Sequence, residues 1–210
     1  MNPDEILKYI TDDFSNLDDN ARKQKASEVR SICATFAGGL IIIPIPFADI
    51  FTITPVQYLM VRAIGNIYGY KLDENAAKEV VAVVGGAWLG QQTCLALFKI
   101  GLPGAGGAVG SAFVFGWTYG MGKAAELYFE SGMTATKEEI KNARSSGEKE
   151  AKNTYEKIKV QNDDLKERID VMRSMGSTKE QIIYALWGAK SGESETYRQA
   201  ETEYKRLIGE

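Results

Sequence analysis

The spacing of apolar residues predicts helices along most of the chain. In the first segment, apolar residues recur every three or four positions, the spacing that places side chains on one helix face. Residues 4–35 are therefore predicted to be amphipathic helix, with a polar corner at Asp18-Asp19-Asn20. No alternation typical of strands and no fixed-period repeat is present. The predicted fold class is all-α, a helical bundle.

Two long uncharged stretches occupy the middle of the chain. Residues 80–98 carry no charge, and after Lys99 residues 100–122 carry none either. Between them, residues 101–107 have the glycine and proline content of a chain reversal. The pattern predicts a central, apolar, glycine-rich helical hairpin.

The composition changes abruptly after residue 132, where the chain becomes rich in charged residues. Thr136 and Glu139 have the spacing of a capping box, which predicts that a long helix starts there and ends at Met175-Gly176. A second capping box is expected at Ser177-Glu180. The apolar residues of the long helix form one narrow stripe, as in a helix that lies on another surface or pairs as a coiled coil. These patterns divide the whole chain into three predicted segments: an N-terminal amphipathic helix (1–30), an apolar glycine-rich helical domain (31–132) and a charged C-terminal helical arm (133–210).

Composition excludes several kinds of chemistry. The chain has 210 residues and no histidine, which removes imidazole bases, Ser-His pairs and nearly all zinc sites. We therefore expect no enzyme activity, no metal and no cofactor. A net charge of −3 gives no reason to expect nucleic-acid binding. The acidic start lacks the basic leader of an export signal, so none is expected. Cys33 and Cys94 lie in apolar stretches and are expected to be buried free thiols.

Glycines recur at a spacing that favours close helix packing. A Gly-x-x-x-Gly pair lets two helix backbones approach because no side chain separates them. The central segment holds four such pairs, which we predict to be helix-packing sites: Gly65 and Gly69, Gly86 and Gly90, Gly106 and Gly110, Gly116 and Gly120.

The apolar hairpin has two readings that the sequence leaves open. Each uncharged stretch is near the 20 or so residues that span a bilayer core, but its content of large apolar side chains is low for insertion on its own. Contact with lipid is one reading, and a soluble helical core with tight crossings is the other. Five large aromatic residues are candidate lipid contacts that core packing explains equally well: Trp88, Phe98, Phe113, Phe115 and Trp117.

One set of residues resembles a known family. Pro44-Ile45-Pro46-Phe47-Ala48-Asp49, then Gln57, Met60 and Ile67-Tyr68-Gly69, followed by the hairpin, resemble an uncharacterised bacterial domain family often fused to, or encoded beside, Era-like small GTPases. The resemblance covers about residues 30–132. It implies a helical, membrane-associated module coupled to a nucleotide-driven partner, with no catalytic residues to carry over. The chain lacks Gly-x-x-x-x-Gly-Lys-Ser/Thr, so the GTPase would be a separate protein.

The expected function is that of a membrane-associated helical scaffold or adaptor. We expect it at the cytoplasmic face of a bacterial membrane or integral by its hairpin, with a cytoplasmic location as the alternative. It would self-assemble or dock a protein partner, with a small GTPase as the candidate. A pore-forming or membrane-remodelling oligomer and a soluble structural bundle are the alternative functions. The stripe of the C-terminal arm is the predicted partner-binding surface: Ile158, Leu165, Ile169, Ile183 and Trp187.

Overall fold

The computed structural model describes residues 4–38, 56–85, 107–192 and 194–210. Within these ranges the chain forms eight α-helices and no strand, which confirms the all-α prediction. The helices are α1 (Asp4–Thr11), α2 (Asp19–Ala37), α3 (Val56–Ile67), α4 (Glu74–Val84), α5 (Gly107–Glu130), α6 (Lys137–Ser174), α7 (Lys179–Trp187) and α8 (Glu195–Ile208).

The first segment forms two helices where the apolar spacing predicts nearly continuous helix. α1 ends at Thr11, and α2 starts after Asp18, whose carboxylate accepts a hydrogen bond from the Ala21 amide at 2.8 Å. Asp13 likewise accepts from the Ser15 amide at 2.9 Å in the connection. These side-chain bonds compete with helical backbone bonds, so the first helix ends at Thr11 and a second one starts at the predicted polar corner, although the apolar spacing continues.

The start and end of the long helix are confirmed, and the next start is displaced by one residue. Thr136 and Glu139 form the predicted capping box of α6, and Gly176, with φ of +83°, follows the C-cap residue Met175. The second capping box uses Thr178 and Gln181, one residue later than expected. Thr178 has the extended backbone of an N-cap residue, and its hydroxyl accepts from the Gln181 amide.

The first hydrophobic core lies among α1 to α5 and the start of α6. Burial of each large aliphatic side chain contributes roughly 1.5–3 kcal/mol, so this core supplies most of the stability of the bundle. Cys33 lies in it as a free thiol, as predicted, and burial raises the pKa of that thiol; Cys94 lies outside the described residues. The largest buried residues of this first core are Ile6, Met60, Ile64, Ile67, Met121 and Phe129.

A second core lies at the other end of α6. We call residues 165–192 and 194–208 the C-terminal head; there α7 and α8 pack against the end of α6 and against each other. No residue from 156 to 168 of α6 is fully buried, so one continuous helix of about 57 Å joins the two cores. The buried residues of the head are Ile169, Ile182, Ile183, Ala189, Tyr197, Ala200, Tyr204 and Leu207.

The predicted hairpin is described only in part. α4 ends at Val84 and α5 begins at Gly107, so the reversal at 101–106 and residues 86–100 lie outside the described residues. Within the ranges described, no helix combines the length and apolar content needed to cross a membrane.

Candidate functional site

Two glycines on facing helices form a close crossing of α5 and α6. A Cβ at Gly120 of α5 would lie 2.7 Å from the Arg144 carbonyl oxygen of α6, and one at Gly147 would lie 2.9 Å from the Gly120 Cα. Neither site has room for a methyl group. The close packing predicted for Gly120 therefore occurs against the C-terminal arm, with Gly147, which lies outside every Gly-x-x-x-Gly pair, as its partner.

The other predicted packing glycines have different surroundings. A Cβ at Gly65 would lie 3.1–3.2 Å from Leu72, Phe129 and the Tyr70 carbonyl, so that glycine is tightly packed. Gly69, with φ of +88°, lies in the turn after α3 and has no atom within 4 Å of a Cβ position. Gly116 also faces open space. Gly110 lies in the first turn of α5, and Gly86, Gly90 and Gly106 lie outside the described residues.

A buried ion pair joins α2 to α5. Arg30 and Glu126 are only 2% and 3% exposed, and the Arg30 guanidinium donates to Glu126 Oε2. Lys123 Nζ lies 3.5 Å from the same oxygen, and the Tyr68 hydroxyl donates to Oε1 at 3.4 Å. The Glu126 carboxylate thus has two cations and a hydroxyl around it. We call these four residues the Arg30–Glu126 centre.

The local sequence makes room for this ion pair. Gly122 stands one helical turn before Glu126, and a Cβ there would lie 2.5 Å from Arg30 Cγ. The guanidinium lies 5.3 Å from the Tyr119 ring centroid, a cation–π distance, and the Tyr119 hydroxyl donates to Glu150 of α6 at 2.8 Å. A continuous series of contacts by polar side chains therefore connects α2, the turn after α3, α5 and α6.

The protonation state of Tyr68 is fixed by its surroundings. Burial raises the pKa of the Tyr68 hydroxyl well above its usual range, and the Glu126 carboxylate raises it further. The hydroxyl therefore remains a donor to Glu126 at neutral pH. Arg30 Nε is buried without a hydrogen-bond partner in the part of the chain that the structure describes. The centre is a closed polar core, which can set how the helices pack.

A lateral groove opens on one side of the bundle, between the end of α4, the first half of α5 and α6. It encloses about 1470 Å³. Val83 of α4 and Phe113 of α5 are 44% and 48% exposed along it. Its apolar wall consists of Ala82, Val83, Val84, Gly85, Ala112, Phe113, Gly116 and Trp117.

The opposite wall of the lateral groove is basic. There α6 presents Lys137, Lys141, Arg144 and Lys152, with Glu148 and Glu156 as nearby acids. Arg144 is already engaged, since it donates to the Gly85 carbonyl and its Nε lies 3.7 Å from Glu148. Within the described ranges the three lysines take part in no ion pair. The groove thus places lysine ammonium groups opposite exposed apolar side chains.

The candidate lipid-contacting aromatic residues divide between the groove and the interior. Phe113 is exposed in the groove, and Trp117 is half-buried between the groove and the first core. Phe115 is fully buried, with its ring edge-on to Tyr155 at 5.4 Å, so it contacts other helices instead of a lipid phase. Trp88 and Phe98 lie outside the described residues.

The predicted partner-binding stripe is used largely within the chain. Ile169 and Ile183 are fully buried in the head, and Leu165 and Trp187 pack against its core. Ile158 packs against a small buried cluster of Ala34, Phe115, Tyr119, Ala151 and Tyr155. A partner protein that docks on the C-terminal arm would therefore contact side chains other than those of the stripe. The exposed large apolar residues of α6, its C-cap and α7 are Val160, Val171, Met175 and Tyr184. They lie off the stripe, so apolar periodicity gave no signal for them.

Comparison with curated proteins and with solved structures gave no match. A family profile, that of the domain of unknown function DUF697, matches residues 10–153. The match extends beyond the resemblance at 30–132 on both sides. It includes the Arg30–Glu126 centre and all but two of the residues around the lateral groove, and it stops before the C-terminal head. Since it covers more than half of the 210 residues, the chain belongs to the DUF697 family.

Proposed function

We propose that the chain is a membrane-associated helical adaptor at the cytoplasmic face of a bacterial membrane. In this proposal the bundle lies against the membrane and the C-terminal head docks a protein partner. The observation that carries the proposal is the lateral groove, which exposes apolar side chains beside lysines on the part of the chain that matches the family.

The groove has the two features that interfacial association requires. Binding at a membrane surface strengthens with buried apolar area and with attraction between cations and anionic lipid. Val83, Phe113 and Trp117 supply apolar area, and Trp117 is of the aromatic type that favours the membrane interface.

Introducing charge into the apolar wall is expected to abolish membrane association. In a flotation assay with mixed phosphatidylcholine and phosphatidylglycerol vesicles, the full chain should float and V83D/F113D should stay at the bottom. Both side chains are exposed, so the variant should keep its helical circular dichroism. The matched control is V160D/V171D, which places the same charges on exposed α6 positions away from the groove and should float. A full chain that does not float, or a groove variant that still does, contradicts the proposal.

The partner half of the proposal is supported by the architecture of α6. The head has its own core, touches the bundle through α6 and lies beyond the family match. The resemblance makes an Era-like small GTPase the first partner to test. In the same flotation assay, the GTPase loaded with a non-hydrolysable GTP analogue should float together with the full chain. With the M175D/Y184D variant, the GTPase should stay at the bottom, while the variant itself should still float. A GTPase that stays at the bottom in both nucleotide states contradicts the choice of partner.

The alternative functions give different results in the same assay. A pore-forming or membrane-remodelling oligomer would release dye from loaded vesicles, whereas an adaptor would leave them sealed. A soluble structural bundle would not float. Self-assembly stays a prediction, and the mass of the chain in solution, measured by light scattering, tests it.

A further inference from the structure

We infer that the lateral groove binds the anionic headgroups of bilayer phospholipids through Lys137, Lys141 and Lys152. This inference rests on the membrane association proposed above and adds the class of lipid and the residues that select it. The ligand is a phospholipid in a bilayer, because the wall opposite the lysines is apolar.

The charge of the groove is opposite in sign to that of the chain. The chain carries a net charge of −3, whereas the groove residues include four cations and two carboxylates, an excess of two positive charges. Arg144 is paired with Glu148, which leaves the three lysines against Glu156 alone. Such a local positive excess attracts anionic groups that the rest of the surface repels.

The length of the lysine row favours a membrane over a single enclosed ligand. From Lys137 to Lys152 the α6 axis rises about 22 Å, and all three lysines are exposed at the rim. Ammonium groups on long flexible chains can reach several headgroups along such a row while their methylene stems lie along the apolar surface. Phe113 and Val83 face them across the groove and would meet the less polar region below the headgroups.

The test compares two lysine-to-glutamine variants of the full chain. K137Q/K141Q/K152Q removes the groove lysines, and K149Q/K157Q/K190Q removes three exposed lysines that do not line the groove. Binding is measured by vesicle sedimentation on pure phosphatidylcholine and on phosphatidylcholine mixed with phosphatidylglycerol. At roughly fivefold in affinity per lysine near an anionic surface, the groove variant should bind the mixed vesicles on the order of 100-fold more weakly than the unmodified chain. The control variant should lose far less affinity for the mixed vesicles.

The outcomes separate this inference from the proposed function. If the unmodified chain binds both kinds of vesicle equally, membrane association stands and selection of anionic lipid is wrong. If it binds neither, both fail. Equal losses in the two variants would mean general attraction without a role for the groove and would overturn the inference. An unchanged affinity of the groove variant would also overturn the inference, since that result is expected if another part of the chain covers the groove. A change in the oligomeric mass of the groove variant would overturn it too, since that result is expected if a second copy of the chain covers the groove.

Discussion

Arg30→Met is expected to lower the free energy of unfolding by about 3–5 kcal/mol, the largest effect of any single substitution discussed for this chain. Glu126 is 3% exposed, so its carboxyl group would be left in the core without its main partner. Lys123, whose ammonium lies 3.5 Å from the carboxylate, compensates only in part, because its side chain is partly exposed and solvent screens its charge. Equilibrium unfolding in urea, followed by circular dichroism, measures the change.

Two further variants show whether burial of the ion pair causes this loss. R30M/E126L removes both charges, so no carboxylate is left without its main partner, and it should recover much of the lost stability. Lys23→Met breaks the exposed ion pair with Glu130, whose atoms lie 2.7 Å apart, and should change stability little because solvent screens that pair. If Arg30→Met costs no more than Lys23→Met, the Arg30–Glu126 centre does not hold the helices together.

Gly120→Ala is expected to destabilise the chain by about 1–3 kcal/mol, because the added methyl group has no space at the α5–α6 crossing. Its Cβ would lie 2.7 Å from the Arg144 carbonyl oxygen, a backbone atom that moves only with its helix. Urea unfolding of the two proteins measures the difference.

Gly116→Ala is the matched control, one helical turn earlier in α5. Its Cβ would have no atom within 4 Å, so the higher helix propensity of alanine should stabilise the chain by up to about 1 kcal/mol. The two substitutions should therefore have opposite signs. If both substitutions stabilise the chain, helix propensity outweighs the cost of the methyl group at the crossing. If both destabilise it, the helices pack differently from the structure.

Local signals in the sequence predicted much of the fold. The helical class, the start of α6 at Thr136 and its end at Gly176 depend on residues close together in the chain, so they could be predicted. Apolar spacing likewise marked the buried side of α6. It could not show which helices cover that side, because an apolar stripe indicates that a helix face is buried but not what it packs against. α5 covers its first half and the head covers its last turns.

The Arg30–Glu126 centre could not be predicted in the same way. The two residues are 96 positions apart, and each has another charged residue within three positions, Glu28 for Arg30 and Lys123 for Glu126, which suggests exposure to solvent. One signal was present. Arg30 follows Ala26 by four residues and precedes Cys33 by three, so it shares the apolar face of α2, where a cation needs a buried acid. The acid itself is identified only by the tertiary packing.

The lateral groove combines residues from three helices, and their meeting depends on the α5–α6 crossing. The sequence marked Phe113 and Trp117 as candidates for lipid contact but gave no reason to place lysines of the C-terminal arm opposite them. That placement follows from Gly120 and Gly147, which bring α6 against α5.

Hydrogen exchange of the full chain, with and without vesicles of phosphatidylcholine and phosphatidylglycerol, tests the adaptor account most directly. The account predicts slower exchange at residues 112–117 and 137–152 when vesicles are added, with the C-terminal head unchanged until the GTP-loaded GTPase is also present. Slower exchange in the head with vesicles alone, or no change around the lateral groove, would contradict it.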